Sequence, residues 1–275
     1  MLKNICFGGG GFKGWAYIGT LRALKELIDF KNIEQVVGVS IGSLFGLFYV
    51  LQFDYREILD FIINLNYYEV LDINLDNIIS NESIIQGKKY TEVLKELITQ
   101  KVDPELTFKQ LYIHNGINYT VGTFNITESK LKYFNYKSTP NVKIIDSIIA
   151  SCSIPVLFPP MKINDSFYYD GGICNNCPVD ILPELSTIAF DLDLAMKSDN
   201  SSLKVFEVIN SLSIMMNNTY IKESHNGLVH KLLDSRFNKE VLNFNQTKDD
   251  IFNLYMHGYL RSKQTLFENY KAIKN

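Results

Sequence analysis

Short apolar runs alternate with amphipathic stretches through the first fifth of the chain. Residues 3–7 form a brief apolar run that reads as a strand, and seven residues, Gly8-Gly9-Gly10-Gly11-Phe12-Lys13-Gly14, break it. From residue 15 to 28 the apolar positions recur at helical spacing, with Tyr17, Leu21, Leu24 and Ile28 on one face. A second apolar run, 36–39, ends in a glycine-flanked serine, and a helix-compatible run, 43–53, follows. Strand, loop, helix, strand, sharp turn, helix is the opening of a parallel sheet covered by helices. The expected fold class is therefore α/β: a three-layer α/β/α arrangement with a mostly parallel central sheet.

Residues 54–98 read as mostly helical and irregular. Ile58, Leu59, Ile62, Ile63 and Leu65 make one apolar stripe, and 90–98 make another. Such stripes serve core packing or a cap whose apolar side meets lipid. Alternating and β-branched residues predict strands at 117–125 and 130–136. A helix is expected at 142–150, ending near Pro155, with short strands at 167–169 and 187–192. Beyond residue 203 the pattern predicts helices at roughly 203–222, 226–235 and 249–273. No repeat, low-complexity tract or linker divides the chain. The expectation is a single domain over 1–275, with a motif-bearing core at about 3–192 and a helical part at about 201–275.

Composition narrows the class. The 275 residues are 46% hydrophobic and 21% charged, as in an ordinary globular protein with a sizeable core. The net charge of −3 gives no electrostatic case for nucleic acid as a partner. Residues 201–275 hold 10 Lys/Arg against 7 Asp/Glu, or +3, which leaves −6 for residues 1–200. This mild asymmetry points weakly to a face for anionic surfaces. No apolar run approaches the roughly 18–20 residues of a membrane span, and the first residues lack the apolar region of a signal peptide. Four cysteines do not make a disulfide scaffold. A cytoplasmic protein, with peripheral contact at membranes, is the expectation.

Three stretches carry chemistry. Gly38-Val39-Ser40-Ile41-Gly42 places a serine between glycines at a strand-to-helix turn, the context that a nucleophile elbow requires. Side chains at Gly38 and Gly42 would collide in so tight a turn. The helix that follows directs its positive end at the serine. Gly9, Gly11 and Gly14 match a dinucleotide-binding spacing, but the second strand ends in Val39-Ser40 without the carboxylate that would hold a ribose. A phosphate loop fails too, because Gly14 follows Lys13 where Ser or Thr is needed. What remains is a run of bare backbone N–H groups suited to a developing oxyanion. A serine hydroxyl needs a base. His114, His225, His230 and His257 all lack a catalytic-type turn, whereas Asp170 follows an apolar run and precedes Gly171-Gly172. Asp170 suits the role of base and that of a turn-capping aspartate equally. Cys174 and Cys177 are spaced as a redox or zinc pair, but no second pair supplies the other two ligands of a zinc site.

Taken together, these blocks resemble the patatin-like phospholipase family. The glycine block is Gly9-Gly10-Gly11-Phe12-Lys13-Gly14, and the elbow is Gly38 to Gly42. The segment Ala150-Ser151-Cys152-Ser153-Ile154-Pro155-Val156-Leu157-Phe158-Pro159-Pro160 comes third, and Asp170-Gly171-Gly172 with Asn176 and Pro178 comes last. Many members carry arginine where this chain has Lys13, and an acidic or small polar residue where it has Gly8. The resemblance covers residues 3 to about 192. It implies a Ser–Asp dyad without histidine: Ser40 as nucleophile, Asp170 as base, and the N–H groups of Gly9, Gly10 and Gly11 as oxyanion hole. Lys13, Gly38, Gly42, Gly171 and Gly172 would support them. It further implies hydrolysis of lipid acyl esters with no cofactor and no metal, and a lipid as partner. Acyl transfer to an alcohol on the same site, or a lipid-binding homologue without catalysis, are the alternatives.

Overall fold

The structure is a computed structural model, which describes residues 1–72, 83–192, 228–234, 237 and 245–274. The described strands are β1 (Asn4–Phe7), β2 (Gln35–Val39), β3 (Asn118–Asn125), β4 (Lys130–Phe134), β5 (Met161–Ile163), β6 (Ser166–Asp170), β7 (Thr187–Asp191) and β8 (Val229–Lys231). They form one sheet. Its core is parallel: β1 pairs with β2 and β7, β2 with β3, and β7 with β8. The pairs β3–β4, β3–β6 and β5–β6 are antiparallel. Helices lie on both sides, so the three-layer, mostly parallel arrangement expected from the pattern is what forms. β1 is buried at all four positions, as an inner parallel strand covered on both faces must be.

The edges of β3 determine where the site falls. At Val121 and Gly122, β3 pairs with β4 on one side and β2 on the other. β4 continues along its edge to Asn125, while β2 stops at Val39, opposite Gly122. β6 then takes the edge that β2 has vacated, with Asp170 opposite Thr123. Thus β2 and β6 run end to end against one side of β3. Their junction lies between Val39 and Asp170.

Helix α1 (Ala16–Leu27) packs along α8 (Lys248–Lys274) at backbone contact. A Cβ on Gly19 would lie 2.1 Å from the Tyr255 carbonyl oxygen, and one on Gly258 would lie 2.0 Å from that of Ala16. Thr20 and Ser262 hydroxyls meet at 2.8 Å in the same buried crossing. The other α-helices among the described residues are α2 (Ile41–Val50), α3 (Tyr55–Asn64), α4 (Tyr67–Leu71), α5 (Lys88–Thr99), α6 (Phe108–Asn115) and α7 (Ile144–Cys152).

Two readings of the pattern need correction. The helix expected at 226–235 is not there: residues 229–231 are β8, added to the sheet through Ala189 N–H to Leu228 O and Leu232 N–H to Asp191 O, both 2.9 Å. A three-residue strand is too short to carry its own periodicity, and pairing with β7 decides it. The short strand β5 was not anticipated for the same reason. The helix expected at 203–222 lies outside the described residues, whereas the one at 249–273 corresponds to α8.

Candidate active site

Ser40 caps α2 with φ 53° and ψ −134°, a backbone conformation that side chains other than glycine rarely adopt. Hydrogen bonds from outside the turn hold it there. The Ser40 N–H donates to Ser151 Oγ at 2.8 Å, and Ser151 Oγ donates to Gly122 O at 2.6 Å. Ser43 Oγ donates to Ser40 O at 2.6 Å. The turn is as tight as its glycines implied. A Cβ on Gly38 would lie 2.5 Å from Gly42 O, and one on Gly42 would lie 2.3 Å from Phe7 O.

Asp170 ends β6 and is 5% exposed; Ser40 is 7% exposed. The Asp170 N–H donates to Ser153 O at 2.9 Å, and its Oδ1 accepts from Gly172 N–H at 2.7 Å. The Ser40 hydroxyl bears on the same carboxyl and favours its ionised form. The two motifs, 130 positions apart, therefore meet at the β2–β6 junction. Gly171 lies directly on β3, since a Cβ there would be 2.6 Å from Gly122 O. Burial pushes the Asp170 carboxyl up to about 7, against the opposing pull of the Ser40 hydroxyl and the Gly172 N–H.

The glycine loop passes over the serine: a Cβ on Gly9 would lie 3.0 Å from Ser40 Cβ. The loop's amides are not equivalent. Gly8 N–H donates to Phe190 O at 2.9 Å, and Gly9 N–H donates to Asn176 O at 3.0 Å. The expectation that Gly9 offers its amide to an oxyanion is thereby corrected, because that proton is already bonded. The amides of Gly10 and Gly11 make no backbone hydrogen bond among the described residues. Lys13 is buried, and its N–H donates to Gly10 O at 3.2 Å, closing the short helical turn Gly11–Trp15 beneath the loop.

An apolar cavity of about 120 Å³ opens beside Ser40. Its walls include Phe12, Trp15, Tyr67, Leu71, Leu157 and Phe158. Phe12, Trp15 and Tyr67 form an aromatic triangle with centroid separations of 5.7–6.1 Å. Tyr90 and Cys152 also line it. Burial pushes the Cys152 thiol up to about 12, which keeps it protonated and inert as a nucleophile.

Among the described residues, no histidine lines this cavity. His114 is exposed on α6, His230 lies in β8, His257 lies on α8, and His225 falls outside the described residues. Cys174 and Cys177 are buried free thiols, and Cys177 Sγ lies 3.9 Å from Cys6 Sγ. Among the described residues, no cluster of His, Cys, Asp and Glu could hold a metal ion, and no helix is long and apolar enough to cross a membrane. Sequence reasoning missed Ser151, whose hydroxyl clamps the elbow. Its only signal was its place in the Ala150–Pro160 block.

The family model for patatin-like phospholipase matches residues 5–183, which include the glycine loop, the elbow and Asp170. The chain belongs to the patatin-like phospholipase family. Among its relatives in the family, it is 35% identical over 185 residues to the Invertebrate iridescent virus 6 protein named "Probable lipid hydrolase 463L". That alignment covers 65% of this chain and 62% of the relative, so the chain spans less than two thirds of that relative's length. A protein of Acanthamoeba polyphaga mimivirus is 25% identical over 297 residues, covering 99% of this chain and 93% of its own. The patatin-like fold is seen again in the crystal structure of VipD from Legionella pneumophila. That structure has a TM-score of 0.64 at 17% identity and covers 97% of this chain and 67% of its own.

Proposed function

We propose that the chain is a serine lipid acyl hydrolase that uses Ser40 and Asp170 as a dyad. The observation that carries this reading is the meeting of Ser40 with a buried carboxylate at the β2–β6 junction, beneath bare amides and beside an apolar cavity. An ordinary aspartate is too weak a base for a serine hydroxyl. One raised to about 7 accepts a proton far more readily while still being ionised in a large fraction of molecules at neutral pH. Ser40 Oγ attacks the ester carbonyl as Asp170 takes its proton. The tetrahedral oxyanion is held by Gly10 and Gly11 N–H, a contribution of about 3–4 kcal/mol per donor in comparable sites. Collapse expels the alcohol, which receives the proton from Asp170. Water then enters, Asp170 takes its proton in turn, and hydrolysis of the acyl-enzyme frees the fatty acid and restores Ser40.

The cavity takes the acyl chain. Burying each methylene stabilises the complex by about 0.8 kcal/mol, so affinity and turnover should favour acyl chains over acetate. The substrate is presented at a membrane or micelle surface, because its long acyl chains keep it there.

The test is a panel of phospholipids, lysophospholipids and neutral glycerides incubated with the protein and with Ser40→Ala, with products identified by mass spectrometry. Release of free fatty acid by the wild type alone supports the reading. Acyl transfer to an added alcohol in place of water would convert it to a transferase. No product from any lipid, together with no labelling of Ser40 by a fluorophosphonate, would refute it.

A further inference from the structure

Resting on that reading, we infer that Asp191 and Asn176 are positioning residues that aim the Gly10 amide at the oxyanion. A trans peptide is planar and points its C=O and N–H in opposite directions. Fixing the carbonyl of one residue therefore fixes the direction of the next residue's N–H. The Gly9 carbonyl accepts from Asn176 Nδ2 at 3.1 Å, so Asn176 sets the direction of the Gly10 N–H. The Gly10 carbonyl accepts from Lys13 N–H at 3.2 Å, so the helical turn sets the direction of the Gly11 N–H. The second of these is local backbone geometry. The first depends on a side chain that arrives from 167 positions away.

Asn176 is 8% exposed, and its amide would be free to turn over if nothing distinguished its two ends. The Gly9 carbonyl already favours the nitrogen end, and Asp191 reinforces that choice with a charged acceptor. Its Oδ1 accepts from Asn176 Nδ2 at 3.3 Å, and a carboxylate can accept only. The nitrogen is therefore held toward both Asp191 and Gly9 O. The Asn176 backbone joins in, since its carbonyl takes the Gly9 N–H at 3.0 Å. From the other side, Tyr17 Oη lies 2.8 Å from Gly8 O and 2.9 Å from Phe190 O and shares its one proton between them.

The same carboxylate accounts for Gly8. A Cβ there would lie 2.9 Å from Asp191 Oδ1, 3.2 Å from Asn176 O and 3.4 Å from Phe190 O. The space that a side chain at position 8 would enter is thus filled from β7 by Asp191. The order of action is Asp191 on Asn176, Asn176 on the Gly9 carbonyl, and the Gly9–Gly10 peptide on the Gly10 amide.

The test compares Asn176→Ala, Asp191→Ala, Asp191→Asn and the Asn176→Ala/Asp191→Ala double variant on a short-chain ester, with melting temperatures alongside. Losing one oxyanion donor costs about 10²- to 10³-fold in kcat, so misaiming it should cost roughly 10- to 100-fold, with KM within about twofold. Asp191→Ala should fall less than Asn176→Ala. Asp191→Asn, whose amide oxygen still accepts, should recover most of the loss. The double variant should be no slower than Asn176→Ala alone, because the two act in series. Amide hydrogen exchange in residues 8–13 should rise in Asn176→Ala and Asp191→Ala. If the wild type hydrolyses no ester, the hydrolase reading falls and the exchange measurement alone decides the positioning claim. Unchanged exchange, unchanged kcat in an active background, or additive losses in the double variant would overturn it.

Discussion

The buried Asp170 carboxylate destabilises the fold under the conditions in which the proposed mechanism needs it as a base. Its acid form is favoured in the folded chain, since burial carries it from the ordinary 3.8 to about 7. Between about pH 4 and 7 the folded chain holds this proton while the unfolded chain has released it. This residue's contribution to stability therefore falls as pH rises through that window. At 1.36 kcal/mol per pK unit the full shift corresponds to roughly 4 kcal/mol, taken as an upper bound. Asp170→Asn removes the charge but keeps an oxygen for the Gly172 N–H and a nitrogen able to donate to Ser40 Oγ. Above pH 8 the variant should melt higher than the wild type, by up to about 8–16 °C given 2–4 °C per kcal/mol for a chain of this size. Near pH 5 the folded wild-type residue is neutral and the unfolded one is only about one unit past its own midpoint, so the gap should shrink to about 1.6 kcal/mol, or about 3–6 °C. Paired thermal scans of the two proteins from pH 5 to 9 measure this, because other titrating groups cancel in the difference. Hydrolysis should disappear in the variant at every pH, and wild-type kcat/KM should rise with pH through an inflection near 7. A stability gap that does not vary with pH, or a variant less stable at pH 8.5 than at pH 5 relative to wild type, would refute the assignment of Asp170 as a buried carboxylate of raised pKa.

Ser40→Gly should abolish turnover yet raise stability by about 1 kcal/mol, since relief of a left-handed backbone exceeds the added chain entropy; urea denaturation reads the gain. Gly258→Ala and Gly19→Ala should each lower stability by about 3–5 kcal/mol, because the new methyl meets backbone on the partner helix that cannot move aside. Expression yield and melting temperature show the loss. Trp15 is the chain's one tryptophan and lines the cavity, so a fluorophosphonate bearing a brominated alkyl chain should quench its emission in the wild type and not in Ser40→Ala.

Why is the sequence more explicit about the candidate reacting residues than about the way they are brought together? A glycine-flanked serine after an apolar run has few uses other than a tight elbow, and Ser40 lies at one with the close approaches that its glycines require. The bare loop and the aspartate before Gly171-Gly172 are similarly local signals. Nothing local says that β6 would occupy the part of the β3 edge left vacant by β2, because that depends on β2 ending three residues before β3 does. The same limit hid the difference among the loop's amides. Gly9, Gly10 and Gly11 are identical as text, and only the arrival of the Asn176 carbonyl removes Gly9 from the set of free donors. Ser151 and Asp191 were illegible for a related reason: each acts on a backbone group or an amide far away in sequence. Local composition thus specifies which groups can react, while strand lengths and long-range hydrogen bonds specify which of them face one another. In this fold the two meet at a single point. Ending β2 one residue later would carry Ser40 past the β6 terminus and separate the hydroxyl from its carboxylate without altering any motif.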